Sequence, residues 1–192
     1  MSKITNVLIV GVGGQGIVLA SDIISLAALY AGHDVKKSEI HGMSQRGGSV
    51  FSHIRFGDKV YSPVIPEGEV DILLSLEEME TLRWLSYVKS DTRVIVVKTR
   101  INPPNVTQYP DTIAQEVKKS FSTCWIIEPF TITEKTGNAK FLNTALLGLV
   151  STCLDFSDEA WKRAIHKNVP DGTFEANMAA FAVGKTLMNG GV

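Results

Sequence analysis

A glycine-rich loop directly after the first apolar run constrains the fold of this chain more than any other feature. Residues 4–10 have the apolar, β-branched composition of a buried parallel strand, and residues 15–31 follow with helical periodicity. Glycine tolerates positive φ and lets the backbone approach another group closely. The turn between strand and helix is Gly11-Val12-Gly13-Gly14-Gln15-Gly16. This order predicts an α/β fold that begins with a right-handed crossover to a second strand at 33–40.

A second glycine loop follows that second predicted strand. It combines polar side chains with two adjacent glycines, and an arginine can hold a phosphate or carboxylate through two parallel hydrogen bonds. The loop is therefore a candidate anion-binding or interface loop, and the alternative is that its arginine only anchors the loop to the protein. After His41, Gly42 and Met43, its candidate site residues are Ser44, Gln45, Arg46, Gly47 and Gly48.

The first loop also fits part of a dinucleotide fingerprint. Gly11, Gly13 and Gly16 match GxGxxG, which places backbone amides and a helix N-terminus near a pyrophosphate. The full fingerprint needs an acidic residue roughly 20 residues further on. Asp34 comes too early, and Glu39 follows two lysines. An independent NAD(P)-binding enzyme therefore remains the alternative, and a turn that only packs helix against strand is the purely structural interpretation.

The rest of the chain continues the α/β pattern and ends in helices. Gly57-Asp58 predicts a turn into a short run at 59–62, which would form an antiparallel hairpin, and the proline-rich stretch 101–110 predicts a surface excursion. Later strands are predicted at 49–56, 70–76, 93–98 and 124–127, and later helices at 77–88, 138–155, 157–168 and 173–188. The predicted fold is a three-layer, Rossmann-like α/β domain with a mostly parallel sheet, a hairpin excursion and a helical C-terminal third.

Composition excludes several classes of function. A formal net charge of -1 gives no basic footprint for nucleic acid. The chain carries neither a leader-like N-terminus nor an apolar run long enough for a membrane span, which predicts a cytoplasmic protein without a membrane partner. Cys124 and Cys153 stand apart without a CxxC pair, which predicts core cysteines and neither an iron–sulfur cluster nor a thiolate zinc site.

The four histidines are too scattered to predict a metal site. His41 adjoins the second loop, but the sequence places neither an acid nor a nucleophile beside it, so we expect a positioning hydrogen bond there. Asn138 and Ser157 are predicted helix N-caps, because their side chains can accept hydrogen bonds from free backbone amides.

Taken together, the two loops and the C-terminal helices resemble the gamma-type subunit of the 2-oxoacid:ferredoxin oxidoreductases. The resemblance runs nearly end to end, as one gamma-type domain over residues 1–192, and is strongest to the smaller subunit of the indolepyruvate enzyme. Its most specific part is the second loop with its flanks, residues 39–50. The other residues that carry it are the first loop, Gly137, Asn138, Asn143, Leu147, Gly148, Asn177, Ala180, Phe181 and Gly184.

The resemblance implies one part of an assembly that decarboxylates a 2-oxoacid on thiamine diphosphate. Electrons then pass through iron–sulfur clusters to ferredoxin, and an acyl-CoA is released. A partner subunit would hold the thiamine diphosphate, magnesium and clusters, and this chain would supply no catalytic residue. The cofactor-facing candidates, turned toward the partner or the CoA phosphates, are Gly11, Gly13, Gly14, Gln15, Gly16, Ser44, Gln45, Arg46, Gly47 and Gly48.

Two further expectations follow for the chain on its own. The isolated chain would be inactive and would expose apolar surface, which leaves a homodimer open. A third interpretation of the same residues is a scaffolding module, in which the glycine loops pack against protein and bind no ligand.

Overall fold

Six strands form one mixed sheet in the computed structural model, which describes residues 4–41, 48–102 and 108–190. The spatial order is β2-β3-β1-β4-β5-β6. Strand β3 is antiparallel to both β2 and β1, whereas β1, β4, β5 and β6 pair in parallel. The strands are β1 (Thr5–Val12), β2 (Asp34–His41), β3 (Ser49–Gly57), β4 (Val70–Ser75), β5 (Val88–Val97) and β6 (Cys124–Ile127).

Helices cover both faces of the sheet, as the three-layer prediction requires. They are α1 (Ile17–Tyr30), α2 (Glu78–Arg83), α3 (Ile113–Ser120), α4 (Pro129–Thr136), α5 (Leu142–Ser151), α6 (Asp158–Asn168) and α7 (Phe174–Thr186). Short 3-10 turns lie at Leu85–Tyr87, Ala139–Phe141 and Leu187–Gly190. No helix in the described part of the chain is both long and apolar enough to cross a bilayer.

Alternation along β1 divides the core into two clusters. Val7 and Ile9 point to the first face, where they join apolar side chains of α1, α4, α5, α6 and α7. Leu8 and Val10 point to the second face, where Trp84 and the buried residues of α3 pack. The mostly parallel, Rossmann-like architecture with a helical C-terminal third is therefore confirmed.

Helices α5 and α7 pack closely because two glycines remove the side chains between them. A β-carbon on Gly148 would collide with the carbonyl oxygen of Phe181, and one on Gly184 would collide with that of Ala145. Thr144 Oγ1 also donates to Asn177 Oδ1 at 2.7 Å in the buried contact. These residues of the family resemblance thus have a packing role in the C-terminal layer.

Several predicted elements need correction. Residues 59–62 form no strand; β3 is antiparallel as expected, but its partners are β2 and β1. The helix predicted at 77–88 ends at Arg83, and β5 already begins at Val88.

Helices α3 and α4 were missed because each has only eight residues, too few to establish a clear period. The predicted caps are confirmed, since Asn138 Oδ1 accepts from the amide of Lys140 at 2.9 Å and Ser157 Oγ from that of Ala160 at 3.2 Å.

Candidate functional site

The first glycine loop lies where β1 ends, at the edge of the sheet where the parallel strands terminate, here called the carboxyl edge. Gly14 and Gly16 have φ of +94° and +76°, a region that side chains rarely adopt. Gly16 is also the N-cap of α1, and a β-carbon there would collide with Asn143 Nδ2. Both glycines are therefore needed for the turn itself.

The side chain of Gln15 joins the ends of two neighbouring parallel strands. Its Oε1 accepts from the amide of Val12 at 2.8 Å, and its Nε2 donates to the carbonyl of Leu76, just after β4, at 2.7 Å. A β-carbon on Gly11 would lie 2.6 Å from Gln15 Oε1, so Gly11 leaves room for this amide. The chain leaves β1 toward β2 on one side while β4 lies on the other, and this divergence is where doubly wound folds bind nucleotides. Gln15 bridges the two strand ends at that crevice.

The two glycine loops meet through the backbone. The amide of Gly13 donates to the carbonyl of Gly48 at 3.0 Å. Ser49, the first residue of β3, donates from Oγ to Glu80 Oε2 at 2.5 Å. Glu80 is buried and also accepts from Arg83 Nε at 3.2 Å. The end of the second loop is thus held by the first loop on one side and by α2 on the other.

Other predicted members of the second loop lie outside the described residues. These are Ser44, Gln45, Arg46 and Gly47, and their assignment stays a prediction. The side chain of His41 is likewise not described. Of the ten candidate site residues, Gly11, Gly13, Gly14, Gln15, Gly16 and Gly48 are described, and all six belong to the joined turn at the carboxyl edge.

Asn143 ties this turn to the C-terminal helical layer. It lies in the first turn of α5, and its Nδ2 donates to the carbonyl of Gln15 at 2.8 Å across 128 residues of sequence. An asparagine inside an otherwise apolar helix signals a specific hydrogen bond, but only the fold identifies the acceptor.

A buried group of glutamates at the start of α2 supports the same edge. Glu77 Oε1 accepts from the hydroxyl of Tyr109 at 2.6 Å and from the amide of Ile101 at 3.1 Å, while Oε2 accepts from the amide of Glu80 at 2.9 Å. Burial, reinforced by the Glu77 carboxylate, raises the pKa of Tyr109, so its hydroxyl keeps its proton and remains a donor.

The neighbouring Glu78 anchors the chain that leaves β5. Arg100 Nε donates to Glu78 Oε1 at 3.0 Å, and Arg100 Nη1 donates to Asp111 at 2.6 Å. The hydrogen bond with Glu78 raises the pKa of Arg100. Sequence reasoning missed these roles, although the acidic run 77–80 directly after an apolar strand was a usable signal.

The two cysteines, which lie outside this edge, are not activated nucleophiles. Burial raises the pKa of Cys124 to about 11 and also raises that of Cys153, so both stay thiols near neutral pH. Burial lowers the pKa of His53, whose Nδ1 accepts from the amide of Ile65 at 2.9 Å. Across residues 4–41, 48–102 and 108–190, no group of three or more His, Cys, Asp or Glu could hold a metal ion.

The acidic residue considered for an adenosine ribose is already engaged. Glu39 accepts from Ser21 Oγ at 3.2 Å and forms an ion pair with Lys37. Together with Gln15 in the crevice, this arrangement differs from an open dinucleotide site, which keeps loop amides and the acidic side chain available for ligand.

Comparisons with known proteins support the gamma-type resemblance. A family model described as pyruvate ferredoxin/flavodoxin oxidoreductase matches residues 6–187. The indolepyruvate oxidoreductase subunit IorB of Thermococcus kodakarensis is 38% identical over 188 residues, which cover 93% of each chain.

Solved structures show the same fold. The gamma subunit of a keto/oxoacid ferredoxin oxidoreductase from Geobacter sulfurreducens aligns over 98% of each chain, with a TM-score of 0.74 and 23% identity. A 2-oxoglutarate:ferredoxin oxidoreductase from Magnetococcus marinus aligns with all of this chain, with a TM-score of 0.75 and 18% identity, but only over 32% of its own length. None of these findings supports the alternative of an independent NAD(P)-binding enzyme.

Proposed function

The chain belongs to the pyruvate ferredoxin/flavodoxin oxidoreductase family, and we propose that it is the small subunit of an enzyme that oxidises indolepyruvate. In the proposed reaction, a 2-oxoacid, CoA and two oxidised ferredoxins give acyl-CoA, carbon dioxide, two reduced ferredoxins and one proton. The assignment of indolepyruvate as the substrate rests on the 38% identity to an indolepyruvate oxidoreductase subunit over nearly the full length of both chains.

The carboxyl edge supports the proposed roles of this chain and of its catalytic partner. Gln15 bridges the ends of two parallel strands at the crevice, and the Gly13–Gly48 hydrogen bond joins the first loop to the end of the second. Such an edge suits a subunit that packs on a catalytic partner. The partner would hold thiamine diphosphate, magnesium and the iron–sulfur clusters, while this chain would form one gamma-type domain over residues 1–192. Because CoA and ferredoxin are dissolved reactants, we place the complex in the cytoplasm.

Within this proposal Arg46 contributes charge and hydrogen bonds, and makes or breaks no covalent bond. With the amides of Gly47 and Gly48 it would hold a CoA phosphate or a partner carboxylate. Gly48 is fixed by Gly13, which gives the loop a defined end from which to present this group.

The function is tested by producing the chain anaerobically with its large thiamine- and cluster-bearing subunit. CoA-dependent viologen reduction is then measured with indolepyruvate, phenylpyruvate, pyruvate and 2-oxoglutarate. We expect a stable complex with the highest kcat/KM for indolepyruvate and no activity from the isolated chain. Higher activity with pyruvate or 2-oxoglutarate would reassign the substrate, and failure of the chains to associate would refute the subunit role.

Arg46→Ala in the assembled enzyme tests the second loop. Loss of a charge-assisted hydrogen bond costs about 1.5–3 kcal/mol, so we expect KM for CoA to rise about 10- to 150-fold with little change in KM for the 2-oxoacid. The matched control is Arg163→Ala, on the exposed side of α6, where the guanidinium stacks on Tyr30. An unchanged KM for CoA in Arg46→Ala, with full activity, would favour the scaffolding interpretation.

A further inference from the structure

A cavity of about 350 Å³ lies at the amino edge of the sheet, the edge where the parallel strands begin. Thr5 is the first residue of β1 and Asp71 is the second of β4, and both line this cavity. Residues 153–156, in the connection between α5 and α6, form another part of its wall. The other lining residues are His33, Phe56 and Arg93. Because a strand rises about 3.3 Å per residue and β1 has eight residues, the cavity lies roughly 20 Å from the glycine loops.

Two opposite charges line this amino-edge cavity without pairing. Arg93 Nη1 donates to the carbonyl of Cys153 at 3.2 Å, which holds the guanidinium at the cavity wall. In the part of the chain that the structure describes, Arg93 Nε and Nη2 and the carboxylate of Asp155 have no hydrogen-bond or ion-pair partner. Asp71, by contrast, already accepts from Lys89 Nζ at 2.7 Å. A ligand that enters the cavity therefore meets one guanidinium edge and one carboxylate that the described protein groups leave unsatisfied.

Three aromatic rings form the apolar side of the same cavity. The His33 ring lies between those of Phe56 and Phe156, with centroid distances of 5.5 and 5.6 Å, and the two phenylalanine rings are 5.1 Å apart. These mutual contacts restrict the rings, so little side-chain entropy is lost when a ligand covers them. Aromatic rings also attract one another beyond the effect of buried area. This side of the cavity therefore suits a ligand that carries an aromatic ring.

We propose that the amino-edge cavity binds a free α-amino acid with an aromatic side chain. The ligand's carboxylate accepts two parallel hydrogen bonds from Arg93 Nε and Nη2, a geometry that the planar guanidinium favours. Its ammonium group pairs with Asp155, and its side chain packs on the three rings. A simple anion would instead leave Asp155 unpaired beside its own charge. Small-molecule sites in proteins start at roughly 300 Å³, so the cavity is large enough for one amino acid.

Calorimetric titration of the full-length isolated chain tests this site. It needs no large subunit, so its result is independent of the proposed function. The probes are L-phenylalanine, phenylpyruvate, phenethylamine and glycine; the last three lack the ammonium group, the carboxylate and the side chain, respectively. The variants are Arg93→Gln and Asp155→Asn, and the matched controls are Arg163→Gln and Asp171→Asn, which replace exposed residues of α6 and of the turn after it. Thermal unfolding checks that each variant is folded.

We expect L-phenylalanine to bind wild type, and each of the other probes to bind at least 5-fold more weakly. Asp155→Asn should weaken phenylalanine binding at least 5-fold but leave phenylpyruvate binding unchanged, because phenylpyruvate has no ammonium group. Arg93→Gln should weaken phenylalanine binding similarly but leave phenethylamine binding unchanged, and both controls should match wild type.

Three results would overturn the amino-acid site. They are no binding of phenylalanine to wild type, equal affinity for phenylalanine and phenylpyruvate, and an equal loss of affinity in the control variants. If Arg93→Gln does not fold, the comparison of Asp155→Asn with Asp171→Asn decides, since Asp155 is exposed and its substitution removes no described contact.

Discussion

Strands β4 and β2 belong to one sheet but have opposite environments. Residues 72–75 of β4 are at most 1% exposed and contribute to both core clusters. No residue of β2 from 34 to 40 is buried, and its sequence is rich in charge. The parallel strands β1, β4, β5 and β6 thus carry the core, β3 contributes Ile54 and Phe56 to it, and the edge strand β2 supplies surface. Substitutions of buried and of exposed residues should differ accordingly, with the larger losses of stability at the buried positions.

The largest loss of stability is expected in the helical layer over the first face. Gly184→Ala places a β-carbon against the carbonyl of Ala145, and because backbone must move, we expect the free energy of unfolding to fall by about 3 kcal/mol. Denaturant unfolding measures it, with Ala182→Ser on the exposed side of α7 as control. A loss no larger than that of the control would show that α5 and α7 separate easily.

Gln15→Ala should have the next largest effect. It removes both hydrogen bonds that join the ends of β1 and β4 and leaves the Val12 amide and Leu76 carbonyl without those partners, at a cost of about 2–3 kcal/mol. Faster amide exchange at Val12 would accompany the loss. Gln115→Ala, on the exposed side of α3, is the matched control. Unchanged exchange at Val12 would contradict the bridging role of the side chain.

A tyrosine pair compares a hydrogen-bonded, partly buried side chain with an exposed one. Tyr109→Phe removes the donor to Glu77 and the acceptor for the Met79 amide, and should cost about 1–2 kcal/mol, whereas Tyr61→Phe should cost almost nothing. Because the folded protein raises the pKa of Tyr109 above its ordinary 10.0, the stabilisation is present below pH 10 and is lost as the pH rises further. Tyr109→Phe should flatten that alkaline loss. Equal effects of the two substitutions would contradict a stabilising role for the Tyr109 hydrogen bonds.

The smallest expected effect is a loss of stability at acidic pH that comes from His53 of β3. Burial lowers the pKa of His53 below 6.5, so its contribution is present above that pH and is lost as the pH falls through the lower folded value. His53→Asn can retain an acceptor for the Ile65 amide without titrating in this range. Its unfolding free energy should therefore depend less on pH between 6.5 and 5 than that of wild type. An identical slope in both proteins would exclude His53 as the source.

Local patterns predicted the elements with strong signals and failed where length or partner choice mattered. The stripe of Ile17, Ala20 and Ile24 identified α1, and the run Cys124–Ile127 identified β6. The eight-residue α4 was missed because its three threonines do not mark a helix, although Pro129 begins it and Gly137 ends it with φ of +74°. The 59–62 strand was wrong because turn residues indicate a reversal but not which strand is paired.

The candidate site likewise combines features that the sequence predicted with contacts that it could not predict. Glycine spacing alone located the first loop, since a turn with φ of +94° and +76° demands glycine at those positions. That Gln15 would bond to Leu76, 61 residues away, or that Asn143 would bond to Gln15 from α5, could not be predicted, because side-chain partners depend on the distance between elements after packing.

Sequence patterns were sufficient to predict the α/β class, the first glycine loop and the family, because apolar periodicity, turn-forming glycines and an extended residue pattern are local properties of the chain. Tertiary structure alone decided that β3 lies between β2 and β1, that Glu80 supports Ser49, and that Tyr61 and Val64 remain exposed. The physical reason is that burial and hydrogen bonding depend on which surfaces meet, and distant segments meet only when the whole chain has packed.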